Sequence, residues 1–143
     1  MTESTSPSFA GLEVGQVVAE REIAFTRDML VRYAGASGDF NPIHYNDVIA
    51  EEVGLPGVIA HGMLTMGVGA SVVEEWAGAG NVSDYQVRFT RPIPVPNPGE
   101  AVVTVSARIG ALDEERRTAR VDLTVAHGET KVLGKAQALV DCE

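Results

Sequence analysis

The chain has 143 residues, 45% hydrophobic and 22% charged, with a formal net charge of −9. That length fits one domain with its own core, and the acidic balance without a large Lys/Arg cluster argues against a nucleic-acid binder. The single cysteine, Cys142, excludes an internal disulfide and a cysteine-based zinc cluster, so a reducing, cytoplasmic setting is expected.

The opening "MTESTSPSFAGLE" has neither the basic start nor the apolar stretch of a signal peptide. Residues 1–10 are expected to be a disordered lead, and residues 11–143 a single domain. "QVVAEREIAFT" (Gln16–Thr26) alternates like a first strand. "TRDMLVRYAGAS" then reads as a helix with Thr26 as N-cap and Met29, Leu30 and Tyr33 on one face. "NPIHYNDVIAEEVG" reads as a second helix, with Asn41 as N-cap, Pro42 in the first turn and Gly54 as the stop.

From Val53 to Val73 there is no charged residue, a stretch long enough to span a bilayer. Pro56-Gly57 interrupts it with a turn signal, so the apolar run His61–Gly78 is expected to be a helix buried at the centre of the domain. Its small residues Gly67, Gly69, Ala70 and Ser71 would let a sheet approach closely.

The second half changes to Val- and Thr-rich alternation in four long runs: "VSDYQVRFTRPIPV", "EAVVTVSARIGAL", "RTARVDLTVAHG" and "TKVLGKAQALVD". Helices followed by a meander of strands predict an α+β fold, with an antiparallel sheet curved around one helix. Strands this long, with edges to protect, favour a dimer.

Candidate chemistry lies in "GDFNPIH", where Asp39 and His44 stand five positions apart across Asn41-Pro42. As the third residue of a helix, His44 would sit near a positive helix end that favours neutral imidazole. A neutral histidine beside a carboxylate is an acid/base pair able to hold one water or hydroxyl. By spacing alone, a Gly-Asp turn before a capped helix with an incidental histidine is the readier reading. Further on, "AHGM" puts Gly62 in the first turn of an apolar helix, where a free N–H could meet a thioester carbonyl. The alternative is a glycine kept for packing. Asp39, His44 and His61 are the residues that could hold a zinc ion, but no HxH or HExxH spacing is present and no metal is expected.

"YAGASGDFNPIHYNDVIA" (Tyr33–Ala50) resembles the hydratase-2 signature of the MaoC-like (R)-specific enoyl-thioester hydratases and dehydratases, and "IAHGMLTMG" and "VRFTRPIPVPNPGE" resemble other parts of that family. The likeness runs through the chain beyond residue 10 and is nearest to the HadB-type catalytic subunit of (3R)-hydroxyacyl-ACP dehydratases. It implies a hotdog fold, one per chain, working as a homodimer or as a heterodimer with a second hotdog subunit. It implies Asp39 and His44 as the catalytic pair and the Gly62 backbone N–H as oxyanion donor. Asn41, Ser37 and Gly38 would support the loop. Where some relatives carry a serine on the central helix, this chain has Ala70 with Ser71 beside it, which leaves a serine role in doubt.

The implied activity interconverts (3R)-hydroxyacyl and trans-2-enoyl thioesters, on acyl-ACP in fatty-acid elongation of the mycolic-acid type. Acyl-CoA hydration for β-oxidation or polyhydroxyalkanoate supply is the alternative, and a non-catalytic acyl-binding subunit a third. No cofactor is needed, because the thioester itself acidifies C2. Expected substrate contacts are His61, Met63, Leu64, Met66 and Trp76 for the acyl thioester, with Arg88 among the basic residues at the rim. No nucleic-acid or membrane partner is expected.

Overall fold

A computed structural model describes residues 5–143. The first four residues of the expected lead lie outside that range. Within the lead, Phe9 is buried and donates its N–H to the Glu143 carbonyl (2.8 Å), while Glu143 N–H donates to Pro7 O (3.0 Å). The Arg117 guanidinium stacks over the Phe9 ring at 5.0 Å. The two ends of the chain therefore hold each other down, and half-buried Cys142 has its thiol pKa pushed up by burial.

Strand β1 (Val17–Phe25) leads into helix α1 (Arg27–Ser37). The Thr26 hydroxyl accepts the Met29 N–H, and Gly38 ends the helix at φ 77°, a left-handed conformation that glycine adopts without steric penalty. The helix expected over Asn41–Gly54 is divided in two. Asn41 caps a 3₁₀ turn, Pro42–His44, and Asn46 caps a separate helix α2 (Asp47–Glu52) by accepting from Val48 and Ile49. A short polar side chain offering backbone-like hydrogen bonds stops one helix and starts the next.

Helix α3 (Gly62–Ala77) is the central helix, about 24 Å long at the standard rise. It is backed by the sheet strands β2 (Val82–Phe89), β3 (Ala101–Asp113), β4 (Thr118–His127), β5 (Thr130–Lys131) and β6 (Leu133–Asp141). The six-stranded antiparallel sheet runs β1-β3-β4-β6-β2, with β5 on β4. Strand β3 alternates strictly over most of its length, and Val103, Val105, Ala107 and Ile109 face the core.

Of the small α3 residues, Gly69 is the one that admits the sheet. A Cβ there would lie 2.7 Å from the Tyr85 hydroxyl and 3.3 Å from Leu123 Cδ2, whereas one at Gly67 would meet nothing within 4 Å. The Tyr85 hydroxyl donates to Met66 O at 2.9 Å, and burial pushes its pKa up to about 12.

Two expected strands end early, and this shapes the site. β2 stops at Phe89 because Pro92 and Pro94 have no N–H for a ladder. The stretch beyond pairs instead with residues 58–60: Ala60 N–H donates to Ile93 O (2.9 Å) and Val95 N–H to Val58 O (3.0 Å). Val132 interrupts the last run, giving β5 and β6, and its carbonyl accepts the Thr90 N–H at 3.1 Å. Among the described residues, no helix is long and apolar enough to cross a membrane.

Candidate active site

The loop between α1 and α2 is built from short local bonds. Asp39 N–H donates to Ser37 Oγ (3.1 Å), Asn41 N–H to Asp39 Oδ1 (3.1 Å), and Ile43 N–H to Asn41 Oδ1 (3.2 Å). Each side chain fixes the backbone two residues away, and the 3₁₀ turn then carries His44 inward until it is 8% exposed. Gly38, Ser37 and Asn41 thus shape the loop that presents Asp39.

His44 is oriented from across the chain. Its Nδ1 lies 2.7 Å from the Ile59 carbonyl, which can only accept, so Nδ1 carries the proton. In the neutral ring Nε2 is then a bare acceptor, and it faces Asp39 Oδ2 at 3.9 Å. That gap is too long for a direct hydrogen bond and suits one hydroxyl reaching both groups. The helix-end reasoning for a neutral His44 does not apply, since three residues of 3₁₀ turn lack the dipole of a long helix. The Ile59 carbonyl sets the tautomer instead.

Ile59 is itself anchored. Its N–H donates to Ile43 O (3.2 Å), and Val58 N–H donates to Asp47 Oδ1 (3.1 Å). Arg27 clasps Asp47 through both terminal nitrogens, at 3.1 and 2.7 Å, and donates its Nε–H to Val95 O at 2.7 Å. The guanidinium hydrogen bonds hold the Asp47 carboxyl below the usual carboxylate range, with the Val58 N–H adding to the effect.

His44 borders a cleft of about 390 Å³ with Ile43, Ile59, Gly62, Thr65 and Phe89 among its walls. Gly62 opens α3, so its N–H has no intrahelical acceptor, and no partner is present among the described residues. A Cβ on Gly62 would stand 3.1 Å from the Phe89 ring, so the ring lies directly over this glycine.

The structure thus puts His44 and Gly62 on one cleft, with the Asp39 carboxylate 3.9 Å from His44. None of the expected acyl contacts is among the walls of this cleft. On α3 the cleft takes Gly62 and, one turn on, Thr65, and Met63, Leu64 and Met66 are not among its walls. Met63 is exposed, while Leu64 packs on the core. Trp76 lies fourteen residues along the helix from Gly62, roughly 21 Å at 1.5 Å per residue. Phe89 borders the cleft, so its neighbour Arg88 points to the opposite side of the strand. His61 is 1% exposed and lies behind His44. Thr65, Phe89 and Thr90 are wall residues that sequence reasoning missed, whereas Arg91, also on the wall, was among the basic residues expected at the rim.

Asp39, His44 and His61 each offer a ligand atom within 4.8 Å of the others. The two imidazoles are stacked, however, with centroids 3.8 Å apart and planes at 23°. Nearly parallel rings cannot aim in-plane lone pairs at one ion about 2.0–2.1 Å from each. The arrangement suits proton handling, not coordination.

Residues 9–129 match the model of the MaoC like domain. The chain belongs to that family. Like other MaoC-like chains it has the hotdog fold: it superposes on a solved MaoC-like dehydratase with a TM-score of 0.94 and 39% identity, covering 98% of this chain and 43% of that one. The (R)-hydratase from A. caviae, described as involved in PHA biosynthesis, gives a TM-score of 0.81 at 25% identity, over 93% of this chain and 98% of that one. Among curated relatives, the 3-hydroxybutyryl-CoA dehydratase of Methylorubrum extorquens is 33% identical over 92% of this chain and 82% of its own length. The 3-hydroxyacyl-thioester dehydratase X of Mycobacterium tuberculosis is 43% identical over 46% of this chain, a stretch that spans 22% of that protein.

Proposed function

We propose that this MaoC-like chain is an (R)-specific hydro-lyase that interconverts (3R)-hydroxyacyl and trans-2-enoyl thioesters. The observation that carries this is the pairing of Asp39 Oδ2 with the bare Nε2 of His44 at 3.9 Å, on a cleft that His44 shares with Gly62 at the start of α3. In the hydration direction one water sits between carboxylate and imidazole. Its oxygen bonds to C3 as the pair removes one of its protons, and one proton is returned to C2. The electron pair of the C2–C3 double bond passes through an enolate whose oxygen accepts from Gly62 N–H. Dehydration reverses each step. The pair accounts for roughly 10²–10⁴-fold as acid and base, and the N–H for about 10²–10³-fold.

The acyl carrier is ACP in fatty-acid elongation on this reading. A CoA carrier is the second reading, favoured by the named substrate of the Methylorubrum relative, which aligns over 92% of this chain. A second hotdog subunit completes the molecule. The edge strand β2 has a partner on one side within the described sheet, and Phe89 on the cleft wall is 55% exposed. Incubation with trans-2-enoyl-CoA and the matching enoyl-ACP, with chiral analysis of the product, tests the proposal. The expected product is the (3R)-hydroxyacyl thioester, formed faster from ACP. Hydration of neither substrate, or formation of the (3S) product, would overturn it.

A further inference from the structure

Immediately behind the proposed catalytic pair is a second histidine that touches neither solvent nor the cleft. His61 is 1% exposed, and its ring is stacked on His44 at 3.8 Å with Tyr33 edge-on at 4.7 Å. Its Nε2 lies 3.2 Å from the main-chain oxygen of Asp39. A carbonyl only accepts, so Nε2 carries the proton and Nδ1 is left bare. That Nδ1 is buried with no hydrogen-bond partner among the described residues.

A buried acceptor without a partner is destabilising, and a hydrocarbon of similar shape would avoid the loss. Plain packing therefore does not explain an imidazole here. The ring does two things that no aliphatic residue could. Its N–H ties down the backbone of the residue that supplies the carboxylate, and its flat face backs the imidazole that takes the proton. We propose that His61 is a positioning residue, which fixes Asp39 through its main chain and His44 through its ring plane and so sets the 3.9 Å gap between them. This rests on the reading of Asp39 and His44 as the acid/base pair. The ring serves in the neutral state. Burial, with His44 alongside, pushes the His61 pKa down, and a second positive charge would oppose the imidazolium that forms on His44 during turnover.

Two substitutions separate the two contacts. His61→Gln keeps an N–H donor near the Nε2 position and loses the ring, whereas His61→Phe keeps a flat ring and loses the donor. His61→Met replaces the Phe variant should that fail to fold. Two readouts are taken on each: steady-state kinetics with an enoyl thioester, and amide hydrogen exchange of residues 39–41. In His61→Phe, kcat is expected to fall about 10²-fold with KM within a few-fold, and exchange of these amides to quicken. His61→Gln is expected to retain the slow exchange and recover about tenfold in kcat over Phe. A kcat near wild type in both variants, a loss confined to KM, or equal exchange in both would overturn the assignment. If the wild-type chain hydrates no enoyl thioester, the functional reading fails by itself. The exchange contrast between Gln and Phe then still decides whether His61 tethers Asp39.

Discussion

The Ile59 carbonyl lies 2.7 Å from His44 Nδ1, fifteen residues along the chain. That single contact fixes which ring nitrogen holds the proton, and so leaves Nε2 bare toward Asp39. The rest of the site depends on how firmly residues 58–60 are held, since they carry that carbonyl.

The Arg27–Asp47 clasp provides much of this hold, because Asp47 also accepts the Val58 N–H. Arg27→Leu leaves Asp39, His44 and Gly62 untouched, yet it is expected to lower kcat by up to about 10²-fold through misplacement of Ile59. Steady-state kinetics beside a melting curve checks this. Wild-type kcat in the variant would show that the clasp does not govern the site.

Gly62 offers a direct test of the oxyanion donor. It is the first residue of α3, a position where proline is tolerated, and His61 before it is already extended at ψ 130°. Gly62→Pro removes the N–H, while Gly62→Ala retains it and imposes similar crowding on Phe89. The proline variant is expected to lose about 10²–10³-fold in kcat relative to the alanine variant. Equal rates would remove the backbone N–H from the mechanism.

Gly69→Ala tests the close approach of helix and sheet. The added methyl would fall 2.7 Å from the Tyr85 hydroxyl, which is fixed on Met66 O. Overpacking of this kind is expected to destabilise by about 1–3 kcal/mol. Gly67→Ala, whose methyl meets nothing, is expected to stabilise α3 slightly. Denaturant midpoints of the two variants give the comparison.

His61 also makes stability depend on pH. Its folded pKa lies below the unfolded value of 6.5, so on acidification the unfolded chain takes up the proton first. Its contribution is complete above the unfolded value and is lost as pH falls from there through the folded value. The melting temperature of the wild type is expected to fall more steeply than that of His61→Gln between about pH 7 and pH 5. Parallel curves would contradict the buried, neutral state.

What was legible in the sequence was local. Thr26 and Met29 are three residues apart, and the cap forms as read. Asp39, Asn41 and His44 belong to one loop whose bonds span two residues at a time, so the motif alone located it. The split of the helix was signalled by a second Asx cap, Asn46, followed by Asp47, but the continuous apolar pattern of Ile43, Val48 and Ile49 masked it. The acyl contacts were chosen by residue type, and large apolar residues on α3 serve the core as readily as a cleft. Counting one helical turn from Gly62 would have found Thr65, and strand alternation would have preferred Phe89 to Arg88. The Ile59 contact left no trace in the sequence, because it uses a backbone atom that every residue possesses.

The central claim is tested most directly by following enoyl absorbance during trans-2-enoyl thioester hydration by the wild type, Asp39→Asn and His44→Ala. The wild type is expected to consume the substrate, and each variant to be slower by roughly 10²–10⁴-fold while remaining folded. Hydration by both variants at the wild-type rate would contradict the assignment of Asp39 and His44 as the acid/base pair.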